Sequence, residues 1–409
     1  MTVEYRPADP AEYAAAIDTI SAAFLERPDI PRVAEIAVAH WQPGRLQAAF
    51  DGGRLVGTFR TWGTELTVPG LGLLPAAAVT GVSVLPTHRR RGILAGMAAR
   101  EHAAIRDRGE ALAVLYASEY PIYGRFGYAP ATRWATWTVE ARLAAPLRPA
   151  PGGVELVTPD AAAATLIAEV FDRVRLAGTG EVRRRDFTWA LRLGLEDEPW
   201  GERWKGFLLV RRDAGGRPDG YARYTGKHSW ADHIPRSTVD ISEFVAATDE
   251  AYDALWGYIL ALDLVATVTA EALRERERLP WLLRNARAAR PSEIGEGLWV
   301  RLFDIPRALE ARAYERSGTV VVEVVDAELA GGRARFLLEA GPDGASCRPT
   351  DREAEITLPV AALGGAYLGG THLRDLVVTT GADEHRDGAL VRLDDLLRTP
   401  EPPFCSTFF

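Results

Sequence analysis

The stretch VTGVSVLPTHRRRGILAGMAAR, Val79–Arg100, carries the reading of the fold. Its first six residues are β-branched or small and predict a strand over 79–84. From Gly92 the residues favour a helix, which the periodicity extends to about 108. A second strand follows in ALAVLYAS, 111–118. Strand, helix and strand in that order imply a parallel pair joined by a crossover helix, hence an α/β domain. At the turn between the first strand and the helix stand Arg89, Arg90, Arg91 and Gly92. The chain as a whole has a formal net charge of -8, so this positive charge is local and needs a local reason.

A helix start offers unpaired amides and a partial positive charge, which suit a phosphate. Glycine lets backbone approach an anion closely, and arginines add bidentate donors. A solvated basic loop is the plainer alternative. No Gly-Lys-Ser/Thr follows the turn, which excludes a P-loop nucleotidase, and the glycine pattern of dinucleotide-binding folds is missing.

The remaining chain fits a large soluble protein. Its 409 residues suggest two to four domains, and 47% hydrophobic content allows a real core. The acidic balance argues against a general nucleic-acid surface. Two cysteines, Cys347 and Cys405, neither form a disulfide framework nor have zinc spacing, so a reducing cytoplasm is expected. The first twenty residues lack the features of a signal peptide, and no window is apolar enough to span a membrane. His228 and His233 lie five apart and suggest no metal site.

Residues 11–25 read as a helix, and Asp51-Gly52-Gly53 as a hairpin turn. A Pro/Gly-rich linker at 145–153 closes a first domain, 1–145. The second, 150–292, repeats the theme: STVDISEFVAA is a strand, Thr248 and Asp249 cap the helix EAYDALWGYILAL, and LVATVTA is a strand. No Arg-Arg-Arg-Gly stands at that turn, so this copy reads as degenerate. The third, 296–409, is α+β. Asp304 caps IPRALEARAY, three strands (TVVVEVVDAEL, ARFLLEAG, EAEITLP) form a meander, and VAALGGAYLGG is a helix ending in glycine.

SVLPTHRRRGIL with ASEYPIYGRFGYAPAT resembles the Eis (enhanced intracellular survival) group of GNAT N-acetyltransferases. Arg89 and Gly92 fit the general GNAT loop; Leu94 departs from its small final position, as the Eis group tolerates. The resemblance implies tandem GNAT folds, one active and one degenerate, then a sterol-carrier-protein-like domain. It implies acetyl-CoA as co-substrate, an amine acceptor that is a small molecule or a peptide, no nucleic-acid or membrane partner, and a homohexamer. The acetyl-CoA contacts would be Val82, Ser83 and Val84 on the strand, Arg90, Arg91, Gly92, Ile93, Leu94 and Ala95 at the phosphates, and Ser118 and Glu119 at the thioester. No metal is called for.

Acetyl transfer to an amine needs a base for the ammonium proton and an acid for the departing thiolate; it needs no covalent enzyme intermediate. By resemblance Tyr123 is the acid, and a phenol with reference pKa near 10 stays protonated at neutral pH. By the residues alone, Tyr123 and Phe126 could simply pack together; Tyr128 reads as structural. The tail PPFCSTFF is too apolar to remain in water. By resemblance it enters the first domain, where the α-carboxylate of Phe409 is the general base; packing within its own domain is the alternative. The acceptor could be an aminoglycoside-like polyamine, a lysine side chain or a natural-product amine. Trp41, Trp62 and Trp134 could line an apolar pocket or sit in the core. A lipid-binding protein using the third domain, or an acetyl-CoA sensor without turnover, would be the rival functions.

Overall fold

The structure is a computed structural model that describes residues 3–409. It divides into two compact units. The first takes the chain up to Thr132, then Gly297–Pro403 and Thr407–Phe409. The second takes Arg133–Glu296 and Phe404–Ser406.

The first unit opens with strand β1 (Glu4–Pro7), helices α1 (Tyr13–Phe24) and α2 (Ile30–His40), and strands β2 (Leu46–Asp51), β3 (Arg54–Val68) and β4 (Gly72–Val84). The expected hairpin joins β2 to β3, with Gly52 and Gly53 at φ 59° and 82°. Helix α3 (Ile93–Asp107) then crosses over to β5 (Leu112–Leu115), which pairs parallel with β4. All four residues of β5 are buried, as expected of a parallel strand covered on both faces. Ile93, Met97, Ala98 and Ile105 turn the apolar stripe of α3 into the same core as Phe59, Val79 and Leu115.

Trp299–Leu302 pairs antiparallel with β5 on its other side, and then with Ala129–Pro130. The sheet thus has seven strands. The strand Arg133–Glu140 instead belongs to the second unit's sheet, between Ala289–Glu296 and Val265–Leu273. Strand pairing therefore crosses the positions 145–150 and 292–296. Each strand alternates or runs apolar in a way that marks it as strand, but nothing local names its partner.

Within the second unit, Ser237–Ala246 and Val265–Leu273 pair parallel across the helix Asp249–Leu260. Thr248 Oγ1 caps that helix, accepting from Ala251 N at 3.0 Å. Asp249 and Glu250 occupy its first turn, where two carboxylates oppose an incoming phosphate. The repeat of the first domain's plan, without its Arg-Arg-Arg-Gly turn, is present.

The remaining sheet of the first unit is not a meander. Its order is Gly344–Pro349, Arg333–Gly341, Gly318–Val325, Ile356–Pro359, Asp383–Glu384. Ile356–Pro359 pairs parallel with Gly318–Val325, and Gly344–Pro349 supplies a hairpin partner that the sequence reading overlooked. The polar GASCRP alternates too weakly to announce a strand. Asp304 caps Ile305–Ala311 as expected, accepting from Arg307 N at 3.1 Å.

Candidate active site

Strands β4 and β5 pair only from Ala76–Leu112 to Val79–Leu115. Beyond Val79, β4 runs on to Val84, held on its other edge by β3, while the chain after Leu115 turns away. A register shift in β3 between Thr58 and Arg60, with Gly81 at φ 56°, bends β4 here. The two strands splay, and the gap is a cavity of about 280 Å³. Val79, Thr80, Gly81 and Val82 form one wall; Tyr116, Ala117, Ser118 and Tyr123 form the other; Phe24 and Phe409 complete it.

Val82 and Val84 are half-buried on β4. Ser83 is turned inward: its hydroxyl is 2.6 Å from that of Thr58, whose Oγ1 lies 2.7 Å from Gly81 O. Ser83 therefore offers the cavity side backbone and not a free hydroxyl.

The arginine turn leads straight into α3. Arg89 is extended, Arg90 has φ 61°, and Gly92 is the N-cap at φ 76°. Gly96 N donates to Gly92 O at 3.0 Å; the amides of Ile93, Leu94 and Ala95 precede that bond and project from the helix end. A Cβ on Gly92 would meet nothing within 4 Å, so the space beside it is open. Arg89, Arg90 and Arg91 are exposed. Arg91 reaches back to Thr87 O at 3.1 Å. Ile93 is buried in the core, Leu94 is half-buried and Ala95 exposed, so these three present backbone more than side chain.

Tyr123 ends the short helix Tyr120–Tyr123 and is buried. Burial pushes its pKa above the ordinary value; a hydrogen bond with Ser118 acts against that, and the Glu119 charge adds to it. Ser118 and Glu119 are exposed. Tyr128 takes no part in the cavity. It is fully buried, 3.1 Å from Nε2 of His102, whose Nδ1 lies 2.7 Å from Glu328.

The tail is docked along its length. Within the second unit, Phe404 N donates to Thr179 O at 2.9 Å, and Glu181 accepts from Ser406 N and Oγ, both at 2.7 Å, and from Cys405 Sγ at 3.2 Å. Within the first, Phe408 stacks on Tyr116 at 4.3 Å and Phe409 meets the same ring edge-on at 5.4 Å. Phe404 and Phe409 are half-buried while Phe408 keeps an exposed face, and Phe409 lines the cavity that holds Ser118 and Tyr123.

Sequence reasoning missed Phe24, Thr80, Gly81 and Tyr116 in the lining, and Glu181 on the tail. Tyr116 could have been found, since it precedes Ser118 at the end of a parallel strand. Glu181 carried no signal, because its partners are 225 residues away. Of the tryptophans, Trp62 is beside the cavity and Trp41 packs on Tyr13. Trp134 lies on the strand Arg133–Glu140, donating to Glu296 O. His228 accepts from Trp230 Nε1 at 2.6 Å, and His233 sits in a tight turn at φ 60°.

A splayed parallel pair with an arginine–glycine turn at the following helix defines an acetyltransferase of the GNAT class. Residues 4–131 match an acetyltransferase (GNAT) domain family, 180–302 match another, and 305–406 match the sterol carrier protein domain. The chain is 38% identical over 419 residues to an uncharacterized N-acetyltransferase of Streptomyces avermitilis, covering all of this chain and 99% of the relative. It is 36% identical over 370 residues to the N-acetyltransferase Eis of Mycobacterium tuberculosis, covering 88% of this chain and 87% of that one. The crystal structure of Eis1 from Mycobacterium abscessus superposes with a TM-score of 0.86 at 36% identity, covering 99% of this chain and all of that one. The chain belongs to the Eis family of N-acetyltransferases.

Proposed function

We propose that this N-acetyltransferase moves the acetyl group of acetyl-CoA directly to a primary amine, with Tyr123 as general acid and the α-carboxylate of a chain ending at Phe409 as general base. The observation that carries this is the single cavity lined by Ser118, Tyr123 and Phe409 where β4 and β5 part.

The residues fit the co-substrate. The open side of Gly92, the amides of Ile93, Leu94 and Ala95 and the exposed Arg90 and Arg91 suit a pyrophosphate. The β4 edge from Val82 through Ser83 to Val84 has no β5 partner and can hydrogen-bond an amide-bearing arm. Ser118 and Glu119 flank the thioester end. When bound, acetyl-CoA supplies the activated carbonyl. The Phe409 carboxylate takes a proton from the amine; a C–N bond forms, the C–S bond breaks, and Tyr123 gives its proton to the sulfur. Burial keeps Tyr123 protonated for that role.

Exposed Leu143, Leu147 and Trp281 give apolar surface that an assembly would cover, and we assign the protein a homohexameric state in the cytoplasm, checked by light scattering. Among the described residues no helix is long and apolar enough to cross a membrane.

The deciding experiment is amine-dependent thiol release from acetyl-CoA. Tyr123→Phe removes one hydroxyl and should lower kcat by about 10²- to 10⁴-fold with similar acetyl-CoA affinity. A kcat within about twofold of the parent would assign protonation of the thiolate elsewhere.

A further inference from the structure

We infer that Tyr116 is a positioning residue: its ring, met on the face by Phe408 and on the edge by Phe409, sets where the carboxylate of a chain ending at Phe409 lies. This rests on the acetyl-transfer reading above and adds the group that holds its base in place.

Tyr116 follows Leu115, the last residue of β5, at the point where β4 and β5 stop pairing. The four residues of β5 are buried, so the chain that carries the ring is fixed by the sheet. Tyr116 and Phe409 line the same cavity.

Phe408 stacks on the Tyr116 ring at 4.3 Å with planes 29° apart, and Phe409 meets it at 5.4 Å and 77°. Side chains of consecutive residues in an extended chain point to opposite sides. For both phenyl rings to touch one tyrosine, the backbone between them has to bend round that ring, and turning either residue away breaks a contact. Trp62 touches Phe409 from β3; one edge contact leaves a ring free to pivot, and the second, to Tyr116, removes that freedom. Phe408 keeps 47% of its surface exposed, so burial holds it only in part and the stack supplies orientation. Aromatic pairs of these geometries shift an equilibrium by about two- to tenfold each, and both pairs share the one ring. Its removal loosens two adjacent residues at once, and a shift of about 1 Å in a reacting group costs about 100-fold in rate.

Protein expressed to end at Phe409 is compared as parent, Tyr116→Leu and Tyr116→Phe, with folding checked by thermal melt. Carboxypeptidase A needs a free terminus, so its release of Phe409, followed by mass spectrometry, reads the undocked population. Tyr116→Leu should release Phe409 about tenfold faster. Thiol release from acetyl-CoA is measured with whichever of 2-phenylethylamine, hexylamine and 1,6-diaminohexane the parent turns over fastest. Tyr116→Leu should lower kcat about tenfold or more, with acetyl-CoA affinity by calorimetry held. Tyr116→Phe keeps the ring and should recover most of both losses. Release of Phe409 no faster from Tyr116→Leu overturns the inference and leaves the transferase reading intact. A Tyr116→Phe as impaired as Tyr116→Leu does the same, since it assigns the effect to the hydroxyl. Faster release with kcat unchanged removes the base from the end of the chain, and the inference with it. Absence of amine-dependent release by the parent with all three amines, in protein that binds acetyl-CoA, overturns the transferase reading, and the inference falls with it.

Discussion

The ring of Phe409 stands edge-on to the indole of Trp62, with centroids 5.6 Å apart and planes at 86°. This contact seats the last residue against β3, so the apolar ring anchors whatever the main chain carries. A main-chain base depends on chain length more than on the side chain. Phe409→Leu should keep substantial activity. In a chain that ends at Phe409, removing that residue displaces the proposed base by about 3.5 Å, and misplacement of about 1 Å already costs about 100-fold. A peptide appended after Phe409 should be equally damaging, a peptide at the other end harmless. Full kcat in the appended form would move the base to another group.

The pH profile follows from Tyr123. Its pKa lies above the ordinary 10, because burial disfavours the phenolate. As the proposed acid, Tyr123 stays protonated well below that value and loses its proton only as pH rises through it. The alkaline fall of kcat should begin no lower than about pH 9. A fall centred near pH 8 would identify a different donor.

Gly92→Asp separates binding from folding. Its φ of 76° strains any residue with a Cβ, but no protein atom lies within 4 Å of where that Cβ would go. The fold should lose only about 1–2 kcal/mol, while a carboxylate at the proposed phosphate site should abolish acetyl-CoA binding. Unchanged affinity by calorimetry would remove the phosphates from this turn.

Glu328 ties the third-domain segment to α3. Burial opposes its charge, yet hydrogen bonds from His102 and Arg106 and the charge of Arg301 hold its pKa at about 2. His102, wholly buried, is pushed below its ordinary value by desolvation, so it stays neutral and donates through Nδ1. A depressed carboxylate stabilises above its unfolded pKa and loses that contribution as pH falls toward the folded one. Glu328→Gln should cost on the order of 2 kcal/mol at pH 7, and the gap to the parent should shrink between pH 5 and pH 2. A gap that stays constant across that range would show that the charge is irrelevant.

Glu243 is the anion of the second unit's core. Arg184, Arg192 and Arg223 all bond its carboxylate, and Tyr221 Oη donates to it at 2.9 Å. Despite burial those guanidiniums hold its pKa far below the carboxylate range. Glu243→Ala leaves three cations without their shared partner and should cost about 3–5 kcal/mol, read by denaturant unfolding. A cost below about 1 kcal/mol would mean that water or another anion replaces it.

The strand, turn and helix from Val79 to Asp107 were legible because each is set by neighbours in sequence: β-branched residues, then a glycine that can adopt φ 76°, then helix formers. The repeat in the second unit was legible for the same reason. The meander was misread because alternation marks a strand and is silent on whether its partner runs parallel. The tail's destination was half legible: its apolar residues required burial, but Tyr116, Trp62 and Glu181 are brought to it only by the fold.

By itself, then, the sequence determined the βαβ unit, the basic turn and the apolar character of the tail, since each depends on local conformational preference or on hydrophobicity summed over a few residues. Tertiary structure alone decided that Trp299–Leu302 completes the first sheet and that Arg133–Glu140 joins the second. It also decided that β4 and β5 part after Val79, and that Ser118, Tyr123 and Phe409 share one cavity. Those outcomes depend on pairings across up to about three hundred residues, where packing and hydrogen-bond complementarity choose among partners that local preference leaves equivalent.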